Sequence, residues 1–236
     1  GGLVILIALG VAFLSLSHYT SNALLVFFVT LGCAAIGFLD DAIKLTHRRS
    51  LGLNARWKLL LLAASAVVVG IVTDHREFAT DVYLPVVNRE LPLSWAWYVL
   101  VFLMIAGTAS AVNFTDGLDG LAAGTGIIAV FTFTAMAVIA WIRSGVPGER
   151  NDLYIDLSIL GAALIGAIVG FLWYNAWPAE VILGDTGSMA IGGALAAFAI
   201  VMKTEFLLLL IGGIFVVETL SVIIQVLTFK YMGKRV

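Results

Sequence analysis

The chain has 236 residues, of which 61% are hydrophobic and 12% are charged, whereas soluble domains average about 25% charged residues. This composition excludes an ordinary soluble domain and indicates a protein that crosses a membrane several times. The net charge of −2 says nothing about nucleic acid, and no basic tract indicates it as a partner. The single cysteine, Cys33, cannot form an internal disulfide.

The predicted elements are apolar helices. A membrane-spanning helix needs roughly 20 apolar residues, and eight candidate stretches follow one another along the chain. We therefore predict an all-α, polytopic helical membrane protein that forms one integral membrane domain over residues 1–236. A short hairpin is also predicted within 81–93, with a turn at Asn88 and Arg89. The predicted spans are residues 3–16, 22–39, 58–73, 95–112, 121–142, 156–174, 187–202 and 206–229.

Eight crossings place alternate loops on the same side of the membrane. One face then carries eight of the 13 lysines and arginines and the other carries five. Since cytoplasmic loops are enriched in Lys and Arg, the first face is predicted to be cytoplasmic. That face consists of residues 40–57, 113–120, 175–186 and 230–236.

The first acidic motif on this face is "FLDDAIKL". If the second span continues as a helix, Lys44 lies four residues beyond Asp40 and three beyond Asp41, on one helix face. An exposed ion pair at a helix end would explain the pattern, but such pairs contribute only about 0–1 kcal/mol. Adjacent carboxylates at a membrane edge repel each other and resist desolvation, so a bound cation is the alternative that relieves both costs.

Two further motifs, "NFTDGLDGLAAG" and "GDTGS", each precede an apolar helix. Thr115, Asp116 or Asp185 can cap the following helix, and a helix N-terminus with free amides binds phosphate. Plain capped loops remain the alternative interpretation. Because the gathered groups are carboxylates without a nearby histidine pattern, we expect a hard, oxygen-liganded ion such as Mg²⁺.

Two polar residues lie within the eighth predicted span. Glu218 and Gln225 are seven residues apart and share a helix face. Intramembrane polar groups indicate function, although a hydrogen-bonded packing contact is the other interpretation. Gln225, nearer the cytoplasmic end, is predicted to contact substrate.

Five stretches together resemble a known family. The sequence is similar to the polyprenyl-phosphate N-acetylhexosamine-1-phosphate transferases, and its DDxxK and ARWK forms are similar to the phospho-N-acetylmuramoyl-pentapeptide transferase branch. The family has a further span before Gly1 and a histidine-rich motif after "KYMGKRV", so these residues are expected to be the interior of a longer protein. The stretches are "GFLDDAIKL", "GLNARWKLLL", "NFTDGLDGLAAG", "FLWYNAWPAEVILGDTGSMAIGGALA" and "GGIFVVETLSVIIQV".

The resemblance implies an enzyme of peptidoglycan synthesis in the bacterial inner membrane, with its active site facing the cytoplasm. It would transfer phospho-MurNAc-pentapeptide from UDP-MurNAc-pentapeptide to undecaprenyl phosphate and release UMP. The resemblance also implies contact with membrane lipid and assembly as a homodimer. It implies Mg²⁺ bound near Asp185. The catalytic residues implied are Asp40, Asp41, Lys44 and Asp185, and the substrate-binding residues implied are Asn113, Asp116, Gly117, Leu118, Asp119 and Asn175. The chain departs from many members at Ile182, where they carry an aromatic residue proposed to stack on uracil.

Several alternatives stay open at this point. A GlcNAc-1-phosphate transferase acting on the same lipid would share most of these motifs. An ion-coupled transporter would use the acidic residues as ion sites, although transporters usually place them near the bilayer midplane. Direct attack by the lipid phosphate and a covalent aspartyl-phosphate route are both compatible with the residues, and we favour direct attack because it needs only one displacement.

Overall fold

The computed structural model describes residues 1–47, 52–74, 80–84 and 89–232. Within these ranges most residues are helical and the two strands have only four residues each, which confirms the predicted all-α fold. The helices are α1 (Gly2–Leu16), α2 (Ser21–His47), α3 (Ala55–Asp74), α4 (Trp95–Thr115), α5 (Leu121–Arg143), α6 (Asp152–Asn175), α7 (Gly184–Val201), α8 (Glu205–Ile211) and α9 (Gly213–Met232).

Seven of the described helices are long and apolar enough to cross a membrane, and α1 is a shorter apolar helix. A protein that crosses the membrane several times is therefore confirmed, with seven helices of spanning length among the described residues against eight predicted spans. Helix α2 continues past the predicted span to His47, as the spacing of Asp40 and Lys44 required. One predicted element was wrong, because the predicted span 206–229 is divided at Gly212 into α8 and α9. Adjacent Gly212 and Gly213 explain the division, because glycine is a poor helix former and glycine pairs are common sites of kinks.

Helix α7 is the centre of the bundle. Sixteen of its eighteen residues, Thr186 to Val201, are buried. Most of them are Gly, Ala or Ser, which let neighbouring backbones approach closely where lipid supplies no hydrophobic driving force. A Cβ added to Gly192 would lie 2.6 Å from the Ala109 backbone of α4, and one added to Gly193 would lie 2.6 Å from the Cys33 sulfur of α2. The small side chains therefore bring α2 and α4 directly against α7.

The predicted hairpin is present. Strand β1 (Asp81–Leu84) pairs antiparallel with β2 (Arg89–Pro92), in a register that joins Leu84 to Arg89. The predicted turn was misplaced, because Arg89 already belongs to the second strand. Asn88 lies outside the described residues, as do five of the charges that orient the chain, Arg48, Arg49, Arg76, Lys234 and Arg235.

Contacts between loops confirm that the chain has two opposite polar faces. At one end of the bundle, the backbone amides of His18 and Thr20 donate to the Asp156 carboxylate at the start of α6. Lys203, before α8, reaches the carbonyl of Asp81 in the hairpin at 3.4 Å. The acidic motifs meet at the other end, as described next.

Candidate active site

The polar site lies where the end of α2, the start of α3, the end of α4 and the start of α7 converge. Asp40, Asp41 and Asp185 each offer a carboxylate oxygen, and these oxygens lie within 4.8 Å of one another. Since α2 and α7 are separated by more than a hundred residues, this is the predicted convergence of remote acidic groups on one face.

Asp40 joins α2 to the segment that precedes α3. Its carboxylate is buried, accepts a hydrogen bond of 2.8 Å from the Leu53 amide, and lies 2.6 Å from the Lys44 Nζ. The predicted pairing of Asp40 with Lys44 along one helix face is therefore confirmed. Only a glycine leaves room for the carboxylate at position 52, because a Cβ added to Gly52 would lie 2.4 Å from the Asp40 carboxylate. Asp40 thus fixes the chain just before it enters α3.

Asp41 faces the first turn of α7. Its Oδ1 accepts from the Asp185 amide at 3.2 Å, and its Oδ2 accepts from the Thr186 amide at 2.9 Å and the Thr186 hydroxyl at 2.6 Å. Gly184, with φ of +75°, lets the backbone turn beside this carboxylate. The side chain of Asp41 is therefore engaged by backbone donors rather than by a lysine.

Asp185 is held between two lysines. Lys44 Nζ lies 3.0 Å from its Oδ1, and Lys58 Nζ lies 2.8 Å from its Oδ2. Lys44 was a predicted site residue, whereas Lys58 was not. Its position in the "ARWK" stretch, one turn into α3, was the available signal. The structure makes Lys58 a member of the site, with a side chain only 18% exposed.

Asp116 lies at the end of α4 and faces the same site. Burial raises its pKa to about 7, and the negative charges of Asp185, Asp41 and Asp119 add to the effect, while a hydrogen bond from the Gly184 backbone opposes it. Nearby, Asn113 donates through Nδ2 to the Ser188 hydroxyl at 2.9 Å, a link the sequence did not predict. Asn113 and Asp116 are therefore at the acidic cluster, as predicted.

The remaining predicted binding residues lie in two loops that are tied together. The amide of the Asn175 side chain accepts from the Gly120 backbone at 3.1 Å and donates to the Val181 carbonyl at 3.0 Å. Asp119 accepts from the Ala179 amide at 3.0 Å. The buried Asn175 therefore joins loop 116–120 to loop 176–183, and its side chain is occupied by backbone partners rather than offered to a ligand.

The three other predicted binding positions are exposed. Gly117 and Leu118 are exposed, with Leu118 at 69%. Gln225 is exposed on α9, where it donates to the Ser221 hydroxyl at 3.1 Å. Among the described residues, none of the hydrogen bonds of Gln225 reaches the acidic cluster, so its role in substrate binding stays a prediction.

The cluster suits a divalent cation. All its acidic donors are carboxylate oxygens, the type that hard cations prefer. The ammonium groups of Lys44 and Lys58 already lie against Asp40 and Asp185, which shows that this position attracts positive charge. Carboxylates and lysines interleaved at one membrane surface define a membrane protein whose site fits a metal ion together with a phosphate-bearing substrate.

Comparison with known proteins agrees with this class. The profile of glycosyl transferase family 4 matches residues 23–203, and the chain belongs to this family. Proteins called phospho-N-acetylmuramoyl-pentapeptide-transferase are similar over the whole chain: that of Halalkalibacterium halodurans is 45% identical and that of Bacillus subtilis is 44% identical, with 70% of each relative covered. The protein of that name from Geobacillus thermodenitrificans is 46% identical over 93% of the chain and 64% of the relative.

Proposed function

We propose that this protein transfers phospho-MurNAc-pentapeptide from UDP-MurNAc-pentapeptide to undecaprenyl phosphate, with release of UMP. The relatives that match the whole chain carry the name of this activity. The observation that carries the proposal at the level of the site is the network in which Asp40, Lys44, Asp185 and Lys58 alternate in charge at one membrane surface. Such a site can neutralise a diphosphate and hold it beside the lipid phase.

The two lysines supply the charge that phosphoryl transfer needs. The transfer depends mainly on positioning and on neutralising the phosphate oxygens and the leaving group. Lys44 and Lys58 each use one carboxylate oxygen of Asp185, and both remain partly accessible, with 34% and 18% of their side chains exposed. In this proposal they contact the diphosphate and offset the charge of departing UMP.

The attacking group is the phosphate of the lipid. The second pKa of a phosphate monoester is about 6, so at neutral pH most of it is already dianionic and needs no base. The carboxylates support direct attack rather than a covalent aspartyl-phosphate, because Asp185 and Asp40 are ion-paired and Asp41 is engaged by amides. A nucleophilic carboxylate would have to leave these partners before it reacted.

Asp185 and Asp40 are the residues proposed to hold Mg²⁺. When bound, the ion would polarise the diphosphate and stabilise the charge of the leaving group. In the described chain the donor set at this position is carboxylate oxygen only, which favours Mg²⁺ over ions that prefer nitrogen or sulfur.

Nucleotide binding is proposed for the segment around Asn113 and Asp116. Asn113 and Asp116 reach the cluster, while Asp119 and Asn175 shape the adjoining loops through backbone partners. Ile182 is 73% exposed beside the GDTGS turn. As an aliphatic residue it offers the base an apolar contact instead of an aromatic stack.

An apolar cavity supports the lipid side of the proposal. It has a volume of about 470 Å³ and lies between α4, α8, α9 and the hairpin, whose Val82 and Leu91 line it. A hydrocarbon chain gains about 0.8 kcal/mol for each CH₂ that leaves water, but within a bilayer such a cavity acts mainly by fixing the position of the chain. Its lining includes Leu100, Leu103, Met104, Leu209, Phe215 and Leu220.

The orientation and assembly are part of the same proposal. The site would face the cytoplasm of a bacterial inner membrane, as the distribution of Lys and Arg indicates, and residues 1–236 would form a single transferase domain. A homodimer is proposed only from the family resemblance. It is tested by measuring the molecular mass of the protein in detergent, which should be twice that of one chain.

The test is UMP release by the purified full-length protein with Mg²⁺ and undecaprenyl phosphate. We expect release with UDP-MurNAc-pentapeptide and not with UDP-GlcNAc, and loss of activity in Asp185→Asn. The matched control is Asp152→Asn, because Asp152 is exposed at the opposite end of the bundle. Release from UDP-GlcNAc alone would identify the GlcNAc-1-phosphate transferase instead. Ion flux into proteoliposomes without UMP release would identify the transporter.

A further inference from the structure

The first turn of α7 carries Asp185, yet α7 has no cap of its own. The residue at its N-cap position is Leu183, which has helical backbone angles and no side-chain acceptor. The first amides of a helix have no partner within the helix. In this protein the amides of Asp185 and Thr186 are satisfied by Asp41, which belongs to α2.

We propose that Asp41 is a positioning residue that fixes the Asp185 carboxylate by capping α7 from α2. The inference rests on the proposed function, since Asp185 is the residue assigned to the metal. The two adjacent aspartates of the DDxxK motif therefore have different roles, although the sequence alone gives both the same catalytic assignment. Asp40 is ion-paired with Lys44, whereas Asp41 is hydrogen-bonded to the backbone of α7.

The hydrogen bonds of Asp41 account for most of its capacity. Its Oδ2 accepts two hydrogen bonds, from the Thr186 amide and hydroxyl, and its Oδ1 accepts one from the Asp185 amide. A carboxylate oxygen has about two acceptor sites, so Oδ2 is fully used. In the part of the chain that the structure describes, the ion pairs of the cluster involve Asp40 and Asp185 rather than Asp41.

The contact is also sterically tight. A Cβ on Gly184 would lie 2.9 Å from the Asp41 Oδ2, and a Cβ on Gly37, one turn before Asp41, would lie 2.1 Å from the Asp185 carbonyl oxygen. Helix α2 therefore meets the backbone of Asp185 at two successive turns. A shift of the Asp41 carboxylate would displace the Asp185 side chain from Lys44 and Lys58.

The experiment compares Asp41→Asn, Asp41→Ala, Thr186→Val and the double variant Asp41→Ala/Thr186→Val in the full-length protein. Asparagine keeps one acceptor oxygen, which can replace the oxygen that accepts from Thr186, so Asp41→Asn should lose less UMP release than Asp41→Ala. Asp41→Ala should lose about 10²-fold, because a small displacement of a reacting group has that cost. Thr186→Val should lie between them, and the double variant should be no slower than Asp41→Ala.

Hydrogen–deuterium exchange of peptides covering 184–188 supplies a second readout that needs no substrate or metal. The amides of Asp185 and Thr186 should exchange at least about tenfold faster in Asp41→Ala, and the Thr186 amide should keep its protection in Asp41→Asn. The proposal is overturned if Asp41→Asn is as inactive as Asp41→Ala while exchange is unchanged in both, since Asp41 would then act on substrate or metal directly. If the wild type releases no UMP, the exchange result still decides whether Asp41 caps α7, and only the proposed function fails.

Discussion

Replacing Gly37 by alanine tests whether the close approach of α2 to α7 sets the geometry of the site. The added Cβ would lie 2.1 Å from the Asp185 carbonyl oxygen and 2.7 Å from the Thr186 amide nitrogen. Non-bonded heavy atoms prefer a separation of about 3.5–4.0 Å, so the two helices must separate locally by roughly 1 Å. Backbone atoms on both sides leave no flexible side chain to absorb the strain.

The size of the effect follows from that displacement. Overpacking of this kind costs about 1–3 kcal/mol, which for a chain of this length lowers Tm by roughly 2–12 °C. A misplacement of about 1 Å at a reacting group costs on the order of 10²-fold in rate. We therefore expect Gly37→Ala to fold, to melt at a lower temperature, and to release UMP about a hundred times more slowly than wild type.

The assay is the initial rate of UMP release at saturating substrates, together with thermal unfolding in detergent. The matched control is Gly166→Ala in α6, where an added Cβ meets no other atom within 4 Å. Alanine is favoured over glycine in a helix by up to about 1 kcal/mol, so the control should keep its rate and melt no earlier. A Gly37→Ala variant with a rate within about threefold of wild type would refute the argument that α2 fixes Asp185.

Three further predictions concern charge. Lys58→Met removes one of the two cations on Asp185 and should slow UMP release by about 10²-fold or more, whereas Lys58→Arg should retain more activity; equal rates for Met and wild type would exclude Lys58 from the site. Because the pKa of Asp116 rises from 3.8 to about 7 on folding, the folded protein binds this proton more tightly, so stability should fall as pH rises from about 4 to about 7 and then level off. Asp116→Asn should flatten that slope in metal-free thermal unfolding, and an unchanged slope would contradict the assignment. Asp156→Ala leaves the amides of His18 and Thr20 without their acceptor, so it should lower stability by about 3 kcal/mol in thermal unfolding, with no change in the rate per folded molecule at low temperature.

Much of the site could be predicted from the sequence because alternation of spans is a strong constraint. Once eight apolar stretches are recognised, the loops carrying Asp40, Asp116 and Asp185 must fall on one face. Helical spacing likewise predicts that Asp40 and Lys44 meet, and their atoms lie 2.6 Å apart. These inferences need only the period of a helix and the thickness of a membrane.

The features that could not be predicted from the sequence depend on how the helices pack, because packing decides which side chains point into the site. Lys58 follows Arg56 in a stretch that looks like ordinary positive charge near a membrane, and only the packing of α3 turns its ammonium toward Asp185. The cap that Asp41 provides comes from a different helix, so no capping pattern near the start of α7 predicts it. The division at Gly212 was missed because the apolar composition continues without interruption on both sides.

The two bonds of the Asn175 side chain have a consequence for inhibitors. Because this amide is joined to Gly120 on one side and to Val181 on the other, loop 116–120 and loop 176–183 form one body. Trp177 is 83% exposed on the second loop. A ligand bound to Trp177 would therefore act, through Asn175, on the segment proposed to hold the nucleotide. A compound that bound this indole and shifted the loop would weaken nucleotide binding without occupying the proposed nucleotide site.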